Sequence, residues 1–258
     1  MTLGITDHDG GIRVIRLQRP PVNALDPSLV TALDQALRTA FDEGIGAIVL
    51  AGGPKVFSAG LDVPTLLGLD RAAMRSFWRD FLGVAERLAR SPVPVAAAID
   101  GHSPAGGAVL ALFCDTRIMA RSPDPEKPFQ IGLNEVQVGL PVPAAIQAAL
   151  RRQVGPRVAE RLLVAGAMVD SATALSIGFV DALCEAGRAE ADALDWCRRH
   201  LALPRRAMLA TRAEARADLA ALFDHAQVDI DAATEAWFSD ETQATMKALV
   251  ARLQAGRG

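Results

Sequence analysis

The sequence predicts an α/β fold in which βα units feed a largely parallel sheet, followed by a helical C-terminal region. Three observations carry that reading. Short β-branched or alanine-rich apolar runs, AIVLAGG at 47–53 and SPVPVAAAIDG at 91–101, end in glycine as buried parallel strands do. Segments of helical periodicity alternate with them through the first two thirds of the chain. From about residue 186 the pattern is helical throughout, rich in Ala, Leu and Arg.

The elements follow in order. IRVIRLQRP (12–20) alternates apolar and basic residues, which predicts a strand with one solvated face. Asp26 is a good N-cap with Pro27 at the first helical position, and Leu29, Leu33 and Leu37 then recur at helical spacing as far as FDEG. After the AIVLAGG strand, PKVFSAGLDVPTLLGL is a loop passing into a short helix. Asp70 opens a longer helix with Phe77, Phe81, Val84 and Leu88 on its apolar face. The strand at 91–101 leads through HSPAGG, a glycine turn, into another helix. TRIMARS is a strand, FQIG part of a hairpin edge, and helices follow near 143–153, 156–165 and 171–177, with a short strand at 179–184. There are no internal repeats. The expected division is a core at 1–185 and a helical region at 186–258.

At 258 residues, with 50% hydrophobic and 22% charged residues, the composition is that of an ordinary soluble globular protein. The net charge of −3 and the lack of any basic run give no sign of a nucleic-acid-binding surface or of an anionic membrane as partner. Isolated Lys and Arg still suffice to hold a phosphate. Cys114, Cys184 and Cys197 are odd in number and widely spaced, and read as reduced thiols in a reducing compartment. The polar N-terminus is unlike a secretory signal, and no apolar run reaches the roughly 18–20 residues of a membrane span, so a cytoplasmic location is expected. His8, His200 and His225 are scattered without metal-ligand spacing, and no nucleotide-binding glycine fingerprint is present.

Three stretches look chemically purposeful. FSAGLD (57–62) and SPAGGAVLAL (103–112) each lie at the carboxyl end of a strand, where open α/β sheets bind ligands. In the second, Ala105-Gly106-Gly107 enters a helix, so unpaired N–H groups face whatever sits there. Glycines alone serve tight turns and close packing equally well. The third stretch, IGLNEVQVGLPVPAA (131–145), is apolar around one carboxylate, Glu135. An unpartnered carboxylate is expensive to bury, so Glu135 is exposed, paired or functional.

Taken together, FSAGLDV, IDGHSPAGGAVLALFCDTRI and IGLNEVQVGL resemble the enoyl-CoA hydratase/isomerase (crotonase) superfamily. The likeness begins at RPPVNAL and reaches about residue 184. It implies a spiral of ββα units with a C-terminal helical region used in trimer formation, giving a homotrimer or a dimer of trimers. It implies an acyl-CoA substrate, with coenzyme A part of that substrate, no separate cofactor and no metal. It also implies an oxyanion hole made by the backbone N–H groups of Ala59 and Gly106, and a catalytic carboxylate at Glu135. By the same resemblance Gly60, Leu61, Asp62 and Val63 run along the CoA moiety, Ala24 lies near the nucleotide end, and Asn134 lines the pocket.

Hydratases of the superfamily carry a second glutamate three residues beyond the oxyanion glycine. Here that residue is Val109, which neither binds nor activates water. The pattern therefore most resembles the mitochondrial-type Δ3,Δ2-enoyl-CoA isomerases, with Glu135 carrying a proton from C2 to C4. Hydration, thioester cleavage or decarboxylation on the same oxyanion hole, and a non-catalytic acyl-CoA-binding role, stay open. Asp62 is expected to fix its loop by hydrogen bonding and His102 to be structural. Lys247 either meets a CoA phosphate or sits on a solvated helix face, and Phe77, Trp78 and Phe81 are expected in the core.

Overall fold

The computed structural model describes residues 2–255, the side chains of 226–228 excepted. In chain order its elements are β1 (Leu3–His8), β2 (Ile12–Leu17), α1 (Pro27–Asp42), β3 (Ala47–Ala51), β4 (Lys55–Val56), α2 (Val63–Leu66), α3 (Arg71–Ala89), β5 (Val95–Ile99), β6 (Gly101–Pro104), α4 (Gly106–Leu112), β7 (Thr116–Ala120) and β8 (Gln130–Gly132). A 3-10 turn at Glu135–Val138 follows, then α5 (Ala144–Val154), α6 (Pro156–Ala165), β9 (Val169–Asp170), α7 (Ser171–Ser176) and β10 (Ala182–Cys184). The C-terminal region is α8 (Ala189–Leu201), α9 (Arg205–Ala215), α10 (Ala217–Ala221), α11 (Ala226–Trp237) and α12 (Asp240–Ala255).

The strands form two sheets. One runs β1-β2-β3-β5-β7-β10 and is parallel except for β1; the other runs β4-β6-β8-β9. Three successive turns, starting at β3, β5 and β7, each contribute a strand to the first sheet, then one to the second, then helix, which is the ββα spiral expected from the family resemblance. Strands β3, β5 and β7 are buried along their whole length, with α8 across them. That explains why their sequences show no alternation. The expected N-caps form: Asp26 accepts from the Leu29 N–H at 2.8 Å, and Asp70 from the Ala73 N–H at 2.8 Å. Phe77, Trp78 and Phe81 are core residues, each 2% exposed, and all three cysteines are free and buried.

Three local expectations are corrected. Strand β2 has no solvated face, because α1 and α8 pack against it; Arg13 is buried, with its guanidinium on Asp7 at 2.6 Å and Glu43 at 2.7 Å. Strand β8 is interior rather than an edge, paired in parallel with β6 and antiparallel with β9. HSPAGG is strand as well as turn: β6 pairs with both β4 and β8. Strands β1, β4 and β6 carry too few apolar residues to signal themselves; β1 is an edge, and the other two are held by their neighbours.

Candidate active site

The β3 and β5 strands deliver two segments to one place. After β3, the 57–62 segment lies against the loop at 19–25. The Leu25 N–H donates to the Gly60 carbonyl at 2.7 Å, the Asp62 N–H to the Leu25 carbonyl at 2.9 Å, and Ser58 Oγ to the Asn23 carbonyl at 2.8 Å. After β5 and β6, the turn at Ala105 opens α4. The two segments touch backbone to backbone. A Cβ on Gly60 would come 2.9 Å from the Ala105 methyl and 3.1 Å from the Gly106 nitrogen, so residue 60 has to be glycine, quite apart from its φ of +83°.

The Ala59 N–H, expected as one oxyanion donor, does not serve. It donates to the Val22 carbonyl at 2.9 Å and so belongs to the loop contact. Because the Gly60 carbonyl and the Asp62 N–H both face Leu25, the N–H of Leu61 between them turns away from that loop. Among the described residues it has no internal acceptor. Gly106, first residue of α4, likewise has no intrahelical acceptor for its N–H. The pair of free donors is therefore Leu61 and Gly106.

Glu135, which lines the same cavity as Leu61, sits on the 3-10 turn that Gly139 ends with a φ of +76°. The residue is 8% exposed, and its Oε2 is buried with no hydrogen-bond partner among the described residues. Burial pushes its carboxyl up to about 7 from an ordinary value of 4.5, opposed only by its own backbone N–H. It is neither a surface ion pair nor a capping residue. Asn134 Oδ1 beside it is also buried and unpartnered.

These groups open on a cavity of about 630 Å³. Of the expected residues, Ala24, Ala59, Leu61, Asp62, Val63, Asn134 and Glu135 line it, while Gly60 and Gly106 stand just behind the lining. Among the described residues its only other lining carboxylate is committed elsewhere. Asp62 receives Arg19 Nη2 at 2.6 Å and caps α2 by accepting from the Thr65 N–H at 3.1 Å. Val109 is 1% exposed inside α4 and offers nothing polar. The site thus sets two free main-chain amides and one buried, unpartnered carboxyl beside a largely apolar cavity.

Comparison with known proteins agrees with that geometry. The enoyl-CoA hydratase/isomerase family profile matches residues 7–255. The chain belongs to the enoyl-CoA hydratase/isomerase family. Human mitochondrial enoyl-CoA delta isomerase 1 is 31% identical over 98% of this chain and 83% of its own length. A probable enoyl-CoA hydratase, EchA17 of Mycobacterium tuberculosis, is 32% identical over 80% of this chain and 77% of its own. Among solved structures, the human mitochondrial delta3-delta2-enoyl-CoA isomerase superposes with a TM-score of 0.92 at 30% identity, covering 100% of both chains. The enoyl-CoA hydratase EchA3 of Mycobacterium ulcerans gives 0.81 at 30% identity, covering 93% of this chain and 100% of its own.

Within this family member, two features escaped the sequence reading. The first is Leu61 as donor. The second is α12, whose Met246, Leu249 and Leu253 roof the cavity. Their i, i+3, i+7 spacing was the available signal. Thr242 Oγ1 anchors this helix to the turn of Glu135 by donating to the Gly139 carbonyl at 2.5 Å. Lys247, on the same helix, is exposed and outside the lining. His102 Nδ1 accepts from the Gln130 N–H at 3.2 Å and its ring stands edge-on to Phe129, so it is structural.

Proposed function

We propose that the chain is a Δ3,Δ2-enoyl-CoA isomerase acting on acyl-CoA thioesters. The thioester oxygen accepts from the Leu61 and Gly106 amides. Glu135, ionised, takes a proton from C2; the C2–H bonding pair moves into a dienolate whose negative charge rests on that oxygen. Each amide donor is worth roughly 3–4 kcal/mol to such a charge by analogy with other oxyanion holes. The double bond shifts from C3–C4 to C2–C3 as C4 receives the proton back from Glu135. A carboxyl titrating at about 7 suits both halves, since it is a competent base and then a competent acid at neutral pH.

The observation that carries this reading is the solitude of Glu135. Hydration across a double bond requires a second group to activate water. The other lining carboxylate, Asp62, is bound to Arg19 and to α2. The relatives named hydratases make crotonyl-CoA the proper counter-substrate. Incubation with 3-hexenoyl-CoA should give the trans-2 isomer, and Glu135→Gln should lower turnover by at least about 100-fold. Rapid hydration of crotonyl-CoA without double-bond migration in 3-hexenoyl-CoA would overturn the assignment. A homotrimer or dimer of trimers belongs to the same proposal and is tested by light scattering of the purified protein.

A further inference from the structure

Ala105 holds a backbone conformation that alanine adopts only under constraint, with φ +45° and ψ −120°. Glycine would take those angles freely. Yet the methyl group that makes them costly sits at a junction. It lies against Gly60, where an added Cβ would come within 2.9 Å of it, on the segment that presents the Leu61 amide. The residue's own carbonyl side leads directly into the Gly106 amide. Its N–H donates to the Gly132 carbonyl at 2.8 Å, in the strand that ends three residues before Glu135. Ala105 therefore touches all three pieces of the site, and its side chain also lines the cavity. Gly60 and Gly106 have no side chains of their own, and the ideal Cβ position of Gly106 is only 3.3 Å from the Gly60 Cα. The Leu25 side chain packs at the same junction, its Cδ1 2.8 Å from the ideal Gly106 Cβ position, so the Ala105 methyl is the spacer that stands directly against Gly60.

We infer that the Ala105 methyl is the spacer that fixes the separation of the Leu61 and Gly106 amides, which makes Ala105 a positioning residue. The inference rests on the isomerase reading above. The strain is retained because the donors must be held where charge develops, and a glycine would let the two segments settle closer or slide. Such a device acts more on the dienolate than on the bound thioester, so its removal lowers kcat and spares KM.

The experiment is steady-state kinetics on 3-hexenoyl-CoA with wild-type protein, Ala105→Gly and Ala105→Ser, together with the thermal unfolding midpoint of each. Ala105→Gly is expected to lower kcat about tenfold or more, in line with the roughly 100-fold cost of a 1 Å misplacement. Its KM should stay within about threefold. Its Tm should equal or exceed that of wild type, because the strained angles suit glycine. Ala105→Ser, which keeps the Cβ, should hold kcat within about threefold of wild type. The inference is overturned if the Gly variant keeps wild-type kcat, loses only KM, or loses Tm along with kcat. It is also overturned if the Ser variant falls as far as the Gly variant. A wild-type protein inert toward 3-hexenoyl-CoA removes the isomerase reading and this inference together. An active wild type with an indifferent Gly variant removes the inference alone.

Discussion

Replacing Glu135 with glutamine should make the protein more stable, and more so at higher pH. The carboxyl titrates at about 7 in the folded chain because burial disfavours its charge, against an ordinary value of 4.5. The folded state thus holds this proton more tightly than the unfolded state does. Below about pH 4.5 both states are protonated and burial of the acid costs little. As pH rises toward and past 7 the unfolded chain releases its proton first, and folding loses free energy until both states are ionised. At about 1.4 kcal/mol per pH unit, the displacement amounts to roughly 3 kcal/mol above pH 8 and under about 1 kcal/mol at pH 5. Glutamine keeps the volume and cannot ionise, so it removes that penalty. Urea denaturation of wild type and Glu135→Gln at pH 5 and pH 8.5, compared at equal m-values, measures the difference. A gain of about 2–3 kcal/mol at the higher pH that shrinks at the lower one is the expected result. Equal stability differences at both pH values, or a variant less stable at pH 8.5, would refute the claim that this carboxyl lacks a partner.

The remaining predictions concern turnover and the frame of the site. The rate of isomerisation, followed as kcat/KM, should rise with pH through a single ionisation near 7, and a flat profile from pH 5 to 9 would dissociate the chemistry from Glu135. Replacing the Leu61 amide with an ester, by incorporating the corresponding hydroxy acid, deletes one donor and should cost about 100- to 1,000-fold in kcat. The same replacement at Ala59 removes only the bond to Val22, so it should cost about 1 kcal/mol of stability with kcat preserved; the reverse ranking would restore Ala59 as the donor. Thr242→Val loses the bond from α12 to the Gly139 carbonyl, and a stability loss of about 1 kcal/mol is expected in thermal or chemical unfolding.

What the sequence made legible was chemistry carried by side-chain identity. Glu135 announced itself because a lone acid in an apolar stretch has few places to go, and Val109 because valine has no polar atom. The choice between Ala59 and Leu61 was illegible for a physical reason. Both lie in FSAGLD, and which amide is free depends on which edge of that segment meets the loop at 19–25, a contact some thirty to forty positions away in the chain. Strands β4 and β6 escaped for a related reason: two residues of KV and the Gly-His-Ser-Pro run are strands only because each other's main chain completes them. Arg13 was read as solvated because its partners Asp7 and Glu43 come from an edge strand and a helix terminus with no apolar pattern to reveal them. The roof formed by Met246, Leu249 and Leu253 had a visible stripe but no visible destination.

That roof has a bearing on how the protein comes into being. The amides, the acid and the strands that aim them all lie before residue 140, whereas the helix that covers them is more than a hundred residues further on, held by the Thr242 hydroxyl and the packing of Met246. A ribosome therefore completes the reaction centre long before it delivers the cover. Until α12 has been made and has settled on Gly139, the nascent chain carries a cleft open to water and to other apolar chains in the cell. Chaperones that bind greasy surfaces would find a target there.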